Sequence, residues 1–321
     1  MDVNIVGLPA GYRDFMFEDA ELRRRIENEF ASVFSSTGFR EVIPSAVEYL
    51  DLYARGNQGI RDRAMRFLDR EDNLLALRAD FTPAVARIVA AHIREMPRPI
   101  RVWYSGPVFR KTDRHRGQYQ EFSQIGAELI GGDPPSADGE VLDVALQCLS
   151  RSGFPDACVH VNHAGIFRGL VNSLGLEQSD LAEVRSAIDR KDMRALGARL
   201  EELGVSGSVR GQVNTLSRCV GDSHALAAAA SSIDNEESRD AIASLESLAS
   251  SLPRWRDRIT FDLTEIDEME YYTGVMLTFL SPAHSVEVGR GGRYDSLMRE
   301  FGVDLPAVGF SFSMDRLGEC A

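Results

Sequence analysis

Cysteine is scarce. The 321-residue chain has four, Cys148, Cys158, Cys219 and Cys320, and they show no paired metal spacing. That excludes a cysteine zinc site and a disulfide framework, and it predicts reduced thiols in a cytoplasmic protein. Histidine is also sparse, with six residues, and no HExxH pair. His160 and His163 stand three apart at the end of a strand, a weak spacing, so no metal site is expected. No apolar run approaches a membrane span. The first residues, MDVNIVGLPAGYRDF, carry acids and lack a basic region followed by an apolar block, so no signal peptide is expected. Basic charge is in deficit: 36 Lys and Arg face 49 Asp and Glu, a net charge of −13. This argues against a broad nucleic-acid surface and leaves room for a local basic patch.

What is present is ordinary for a globular protein, with 44% apolar and 26% charged residues in one large domain or two modest ones. A Gly/Pro loop from Gly7 leads into a helix at about Asp19–Thr37, with Leu22, Ile26, Phe30, Val33 and Phe34 on one face. Glu41–Pro44 reads as a short strand, and Phe67–Leu77 as two strands around a turn. In LRADFTPAVARIVAAHI, Thr82 is placed as a helix N-cap with Pro83 first inside, and Val85, Ile88, Val89 and His92 as the buried stripe. Charged ligands are often handled at such a helix mouth, where Asp80 could take a ligand ammonium. The plainer reading is that Asp80 and Thr82 only cap the helix.

Arg101–Gly132 reads as two strands joined by a loop longer than a hairpin needs. Alternation puts Tyr104, Gly106, Val108 and Arg110 on one face of the first strand. It puts Phe122, Gln124, Gly126, Glu128 and Ile130 on one face of the second. Paired antiparallel, they gather Arg110, Gln124 and Glu128 as the floor of a pocket for something small and charged. The loop carries Lys111, Arg114, His115 and Arg116, suited to an anion, although such loops are more often simply solvated.

A helix follows at Glu140–Arg151 and a strand at Cys158–Val161. From Ala164 to about Arg256 the composition turns to Ala, Leu, Glu and Arg and predicts short helices around Phe167–Leu174, Asp180–Ile188, Met193–Leu203, Ser223–Ser232 and Asp240–Leu252. Strands return at Arg258–Leu263 and Gly274–Leu280, with Tyr271 and Tyr272 in the turn between. The cluster Gly289–Arg293 is neither a P-loop nor a dinucleotide fingerprint, and by itself reads as a structural turn. LPAVGFSFSMDRL is a strand entering a final helix.

The order of these weak features carries more than any one of them. FR, a basic loop and EFxQ are followed by YYTG at 271–274, GGRYD at 291–295, and PAVGF with Arg316 in the last helix. The series resembles the core of class II aminoacyl-tRNA synthetases, in the histidyl branch. Gly11–Tyr49 looks like motif 1, Phe109–Glu128 like motif 2 and Leu305–Leu317 like motif 3. The resemblance implies an α+β fold, an antiparallel sheet flanked by helices. Residues 1–163 and 256–321 would form the core and 164–255 a helical insertion subdomain.

Three departures stand out. No anticodon-binding domain is expected after motif 3. Motif 2 has Thr112 where the family pattern FRxE has a glutamate that helps hold ATP. In EIDEMEYY (Glu265–Tyr272), Asp267 takes the place of an arginine that acts on the activated carboxylate. An acid there removes the electrostatic partner of the transition state, so adenylation should be severely impaired.

The resemblance keeps the amino-acid pocket. Asp80 would receive the α-ammonium, with Thr82 beside it. Arg110 and Gln124 match positions near the ligand carboxylate and ammonium. Glu128 and Tyr272 would address the imidazole, with Tyr271 nearby. This combination resembles the regulatory subunits of ATP phosphoribosyltransferase. That family implies a non-catalytic, cytoplasmic chain without cofactor or tRNA that dimerises through its synthetase-like core. It implies assembly with a short-form catalytic subunit as a hetero-octamer, four of each. Such a subunit activates the first step of histidine biosynthesis and mediates feedback by histidine. The rival reading is a free-standing enzyme that passes an aminoacyl adenylate to an acceptor other than tRNA, for which Arg110 and Arg316 speak. A third is a synthetase-derived interaction protein with no ligand.

Overall fold

The computed structural model describes residues 6–55, 58–112, 119–190, 192–264 and 271–321. In chain order it places α1 (Phe17–Ser36), β1 (Arg40–Glu41), β2 (Val47–Tyr49), α2 (Asp51–Ala54), α3 (Gln58–Arg63), β3 (Arg66–Leu68), β4 (Leu74–Leu77), α4 (Thr82–His92), β5 (Ile100–Phe109), β6 (Glu121–Ile130), α5 (Ser136–Arg151) and β7 (Cys158–His163). The helical segment holds α6 (Ala164–Leu174), α7 (Gln178–Asp189), α8 (Met193–Glu202), α9 (Gly207–Leu216), β8 (Val220–Gly221), α10 (Ser223–Ser232) and α11 (Glu236–Ser251). A 3-10 turn leads to β9 (Ile259–Asp262), β10 (Val275–Ser281), β11 (Val286–Arg293), α12 (Asp295–Glu300), β12 (Ala307–Ser313) and α13 (Met314–Cys320).

Nine strands form one sheet in the order β1-β5-β6-β12-β11-β10-β7-β9-β8, and β2-β4-β3 form a second, small one. The large sheet is antiparallel except at β1–β5 and β7–β9. Its two faces differ in kind. One carries Trp103, Ile125, Ala127, Leu129, Phe310, Phe312, Leu277 and Phe279, all buried in one apolar cluster with α1 and α5. Phe30 of α1 meets Phe312 edge-on at 5.4 Å, and Phe34 stacks on Trp103 at 5.4 Å. Burial of such rings is the main force holding a helix to a sheet. The same cluster takes in Ile166, Leu170, Leu226, Ala241 and Leu245 of the helical segment. The opposite face carries a second apolar cluster, with Val102, Val108, Ile130 and Ala307 buried against α4 and α12, and beside it a polar, glycine-rich stretch that becomes the floor of the cleft below. No helix among the described residues is long and apolar enough to cross a membrane.

Several expectations are corrected. Gly289–Arg293 is the C-terminal part of β11, not a turn. Thr82 is not an N-cap; it is the first residue of α4, and its hydroxyl points elsewhere. His92 is exposed at the end of α4 rather than part of the buried stripe. The short strand after α1 is Arg40–Glu41 rather than Glu41–Pro44, and α9 and β8 add to the five helices expected in the helical segment.

Candidate ligand-binding cleft

The cleft is laid on sheet backbone. In the β5–β6 register Tyr104 lies opposite Gly126 and Gly106 opposite Gln124. Across β6–β12 Glu128 lies opposite Gly309, and across β12–β11 Gly309 lies opposite Gly292. Opposed residues share a face, so Glu128 sits beside a row of glycines. A β-carbon at Gly126 would meet the Phe310 carbonyl at 2.3 Å, and one at Gly292 the ring of Tyr272 at 2.7 Å. Glycine here admits the bulky side chains that wall the cleft. The resulting space measures about 720 Å³.

At one end lies Glu128, 1% exposed. Its Oε1 accepts from the Thr82 hydroxyl at 2.9 Å and the Tyr104 hydroxyl at 3.1 Å, and its Oε2 from the Tyr294 hydroxyl at 2.5 Å. Burial pushes the carboxyl up to about 7, with the three hydroxyls opposing that rise and the charge of Asp80 adding to it. Tyr271 stacks on Tyr294 at 5.7 Å and meets Tyr272 edge-on at 5.1 Å, closing this end with aromatic rings.

Asp80 enters from the loop before α4. Its Oδ1 accepts from the Phe81 amide at 2.9 Å and lies 3.5 Å from Nη2 of Arg110. Burial raises this carboxyl as well, and the Arg110 guanidinium opposes the shift. Arg110 is held in place by its Nε, which donates to the Ala79 carbonyl at 2.6 Å, and by the Phe122 ring at 5.3 Å. Gln124 is 8% exposed, and its Oε1 has no hydrogen-bond partner among the described residues. An unsatisfied buried acceptor in a cleft shared with the half-buried Asp80 and the buried Glu128 favours a ligand that brings hydrogen-bond donors.

Asp80, Thr82, Arg110, Gln124, Glu128, Tyr271 and Tyr272, far apart in sequence, all line this one cleft. Asp267 lies outside the described residues, as do Arg114, His115 and Arg116. Thr112 and Arg316 line the cleft as well. The residues that sequence reasoning missed are Tyr294, whose hydroxyl binds Glu128, and Glu287, which bonds Arg316. Tyr294 was in view within GGRYD, but nothing local links it to a carboxylate 166 positions away. The arginine of that motif, Arg293, is 3% exposed and donates to Asp138 at 2.6 Å and Asp295 at 3.1 Å, a structural pair beneath the site. His163 is structural too: its Nδ1 accepts from the Gly165 amide at 3.1 Å, and burial lowers its pKa to about 4.

Sheet topology and cleft together define a class II aminoacyl-tRNA synthetase-like protein. A family model described as histidyl-tRNA synthetase matches residues 11–317. The ATP phosphoribosyltransferase regulatory subunit of Syntrophotalea carbinolica is 35% identical over 311 residues, 96% of this chain and 73% of that protein. That of Geobacter sulfurreducens is 34% identical over 311 residues, 96% and 71% respectively. A solved structure of an ATP phosphoribosyltransferase regulatory subunit/histidyl-tRNA synthetase from Bacillus halodurans C matches with a TM-score of 0.92 at 27% identity, covering 99% of this chain and 84% of that one. The chain belongs to the family of ATP phosphoribosyltransferase regulatory subunits, which carry the histidyl-tRNA synthetase-like fold.

Proposed function

We propose that the cleft binds free histidine and that the chain is the non-catalytic regulatory subunit of an ATP phosphoribosyltransferase, the first enzyme of histidine biosynthesis. In this reading it activates a short-form catalytic subunit and transmits feedback inhibition. One observation carries the ligand: Asp80, half-buried and 3.5 Å from Arg110, and the fully buried Glu128 line the same cleft. Two groups that can carry positive charge and one carboxylate are what free histidine offers. The ammonium goes to Asp80 and to the side-chain oxygen of Gln124, the carboxylate to Arg110, and the imidazole to Glu128 with Tyr272 alongside. Thr82 and Tyr271 shape the walls. A cation arriving at either acid offsets the cost of holding that carboxylate away from water, which favours an ammonium–imidazole ligand over a neutral one.

The regulatory role rests on the family. The assembly it implies is a homodimer through the core, joined to catalytic subunits as four plus four. Histidine then shifts the complex by binding its two states with different affinity. The test is reconstitution. Purified chain is mixed with a short-form catalytic subunit, and activity is measured with and without histidine. The chain should raise activity and histidine should lower it. Asp80→Asn should keep the activation and lose the inhibition. A chain that leaves catalytic activity unchanged sinks the proposal.

A further inference from the structure

The cleft offers room for a much larger ligand than one amino acid. From its acidic end it continues to β11 and α13, where Arg290 and Arg316 both face Glu287. Arg290 Nη2 donates to Oε2 of Glu287 at 2.9 Å. Arg316 Nη1 donates to Oε1 of Glu287 at 3.2 Å and to its backbone carbonyl at 2.7 Å. Arg13, in the N-terminal loop, is likewise matched, by the cleft-lining Asp315 at 2.6 Å and Glu319 at 3.3 Å. Each of these three arginines has a carboxylate from within the chain.

We propose that Glu287 sets the ligand class of this end of the cleft: its carboxylate occupies the position between Arg290 and Arg316 that a polyphosphate would otherwise take. A phosphate arriving there has to break charge-assisted bonds and stand beside a fixed anion. The cleft is thereby held to a small zwitterion although its volume would admit a nucleotide. The inference deepens the histidine reading and rests on it for the identity of the ligand that is retained. The competing view makes Glu287 a staple between β11 and α13. The two views separate because glutamine keeps the shape and an acceptor for Arg290 while removing the charge, and the backbone bond to Arg316 stays.

The experiment is calorimetric titration of the full chain with sodium tripolyphosphate and, separately, with histidine. Wild type, Glu287→Gln and Glu287→Ser are compared at low ionic strength. Both variants should bind tripolyphosphate at least about tenfold more tightly than wild type, with an affinity that falls as salt is added. Histidine affinity should be unchanged by either substitution. Variants that bind tripolyphosphate no better than wild type overturn the proposal, as does wild type binding it equally well. Absence of histidine binding in all three proteins overturns the ligand reading of the preceding section. The tripolyphosphate comparison would still decide the role of Glu287.

Discussion

Gly309 lies directly against Glu128: a β-carbon built on it would stand 1.5 Å from Oε2 of the carboxylate and 2.7 Å from the Ala127 carbonyl. The carboxylate keeps its place, and its three hydroxyl donors, because position 309 has no side chain. Gly309→Ala should therefore displace Glu128 and strain the β6–β12 ladder, costing about 1–3 kcal/mol of stability. Histidine affinity should fall at least about tenfold, since the imidazole loses its acceptor. Thermal denaturation and calorimetric titration read the two effects. Unchanged histidine binding would show that Glu128 is not an imidazole ligand.

Gln124 offers a test in which stability and binding move in opposite directions. Its Oε1 is buried without a partner among the described residues, which costs the ligand-free protein about 1–3 kcal/mol. Gln124→Met keeps the volume and removes that cost, so the ligand-free protein should become more stable or stay the same. A ligand ammonium loses its acceptor, and histidine affinity should fall roughly 10- to 100-fold, the scale of a hydrogen bond to a charged group. Urea denaturation without ligand and titration with histidine give the pair of numbers.

Glu128, raised by burial to about 7, and the imidazole of free histidine, near about 6.5, form a pair that holds one shared proton when bound. Above about pH 7.5 the free partners hold none, so binding takes a proton up; below about pH 6 they hold two, so binding releases one. Affinity should peak between about pH 6.5 and 7 and decline on both sides. Titration in buffers of different ionisation enthalpy measures the proton count. Glu128→Gln should remove the alkaline decline. The sign for stability is separate. A carboxyl raised in the folded state favours folding fully below its unfolded value, and that contribution is lost as pH rises through about 7. Glu128→Gln should flatten the stability profile in that window.

Arg293 and Asp138, each 3% exposed at the side chain, form an ion pair at 2.6 Å. Removing one partner strands the other in the interior. Arg293→Met should cost about 3–5 kcal/mol, and adding Asp138→Leu should recover a large part of it. Urea denaturation of the two single variants and the double variant completes the cycle. A full loss that the second substitution fails to relieve would mean that the contacts of Arg293 with Asp295 and the Gly132 carbonyl dominate.

The β5–β6 hairpin was legible because strand alternation is local and the apolar and polar faces differ residue by residue. The register puts Gly106 opposite Gln124, as the antiparallel pairing requires. Strand β11 was not legible. Gly289, Gly291 and Gly292 disfavour a strand on propensity. They are kept because Phe312, Phe310 and Tyr272 crowd them from other strands and loops, which only the tertiary structure reveals. Thr82 followed a sound local rule to the wrong partner: its hydroxyl goes to a carboxylate 46 positions away rather than to its own helix. Helix α9, GSVRGQVNTL, hides behind two glycines, and burial of Val213 and Leu216 overrides the weak propensity. The pairing of Arg316 with Glu287 is likewise a contact across 29 positions that no motif encodes.

The apolar layer behind the cleft floor has a mechanical consequence. Phe30, Phe310 and Phe312 belong to the same continuous cluster as Leu226, Ile242 and Leu248 of the helical segment. Residues of the segment between 164 and 255 thus share one apolar cluster with the sheet. Heat should find no seam there: the chain should melt in a single calorimetric peak. Excising the segment should leave a bare greasy face and an aggregating product.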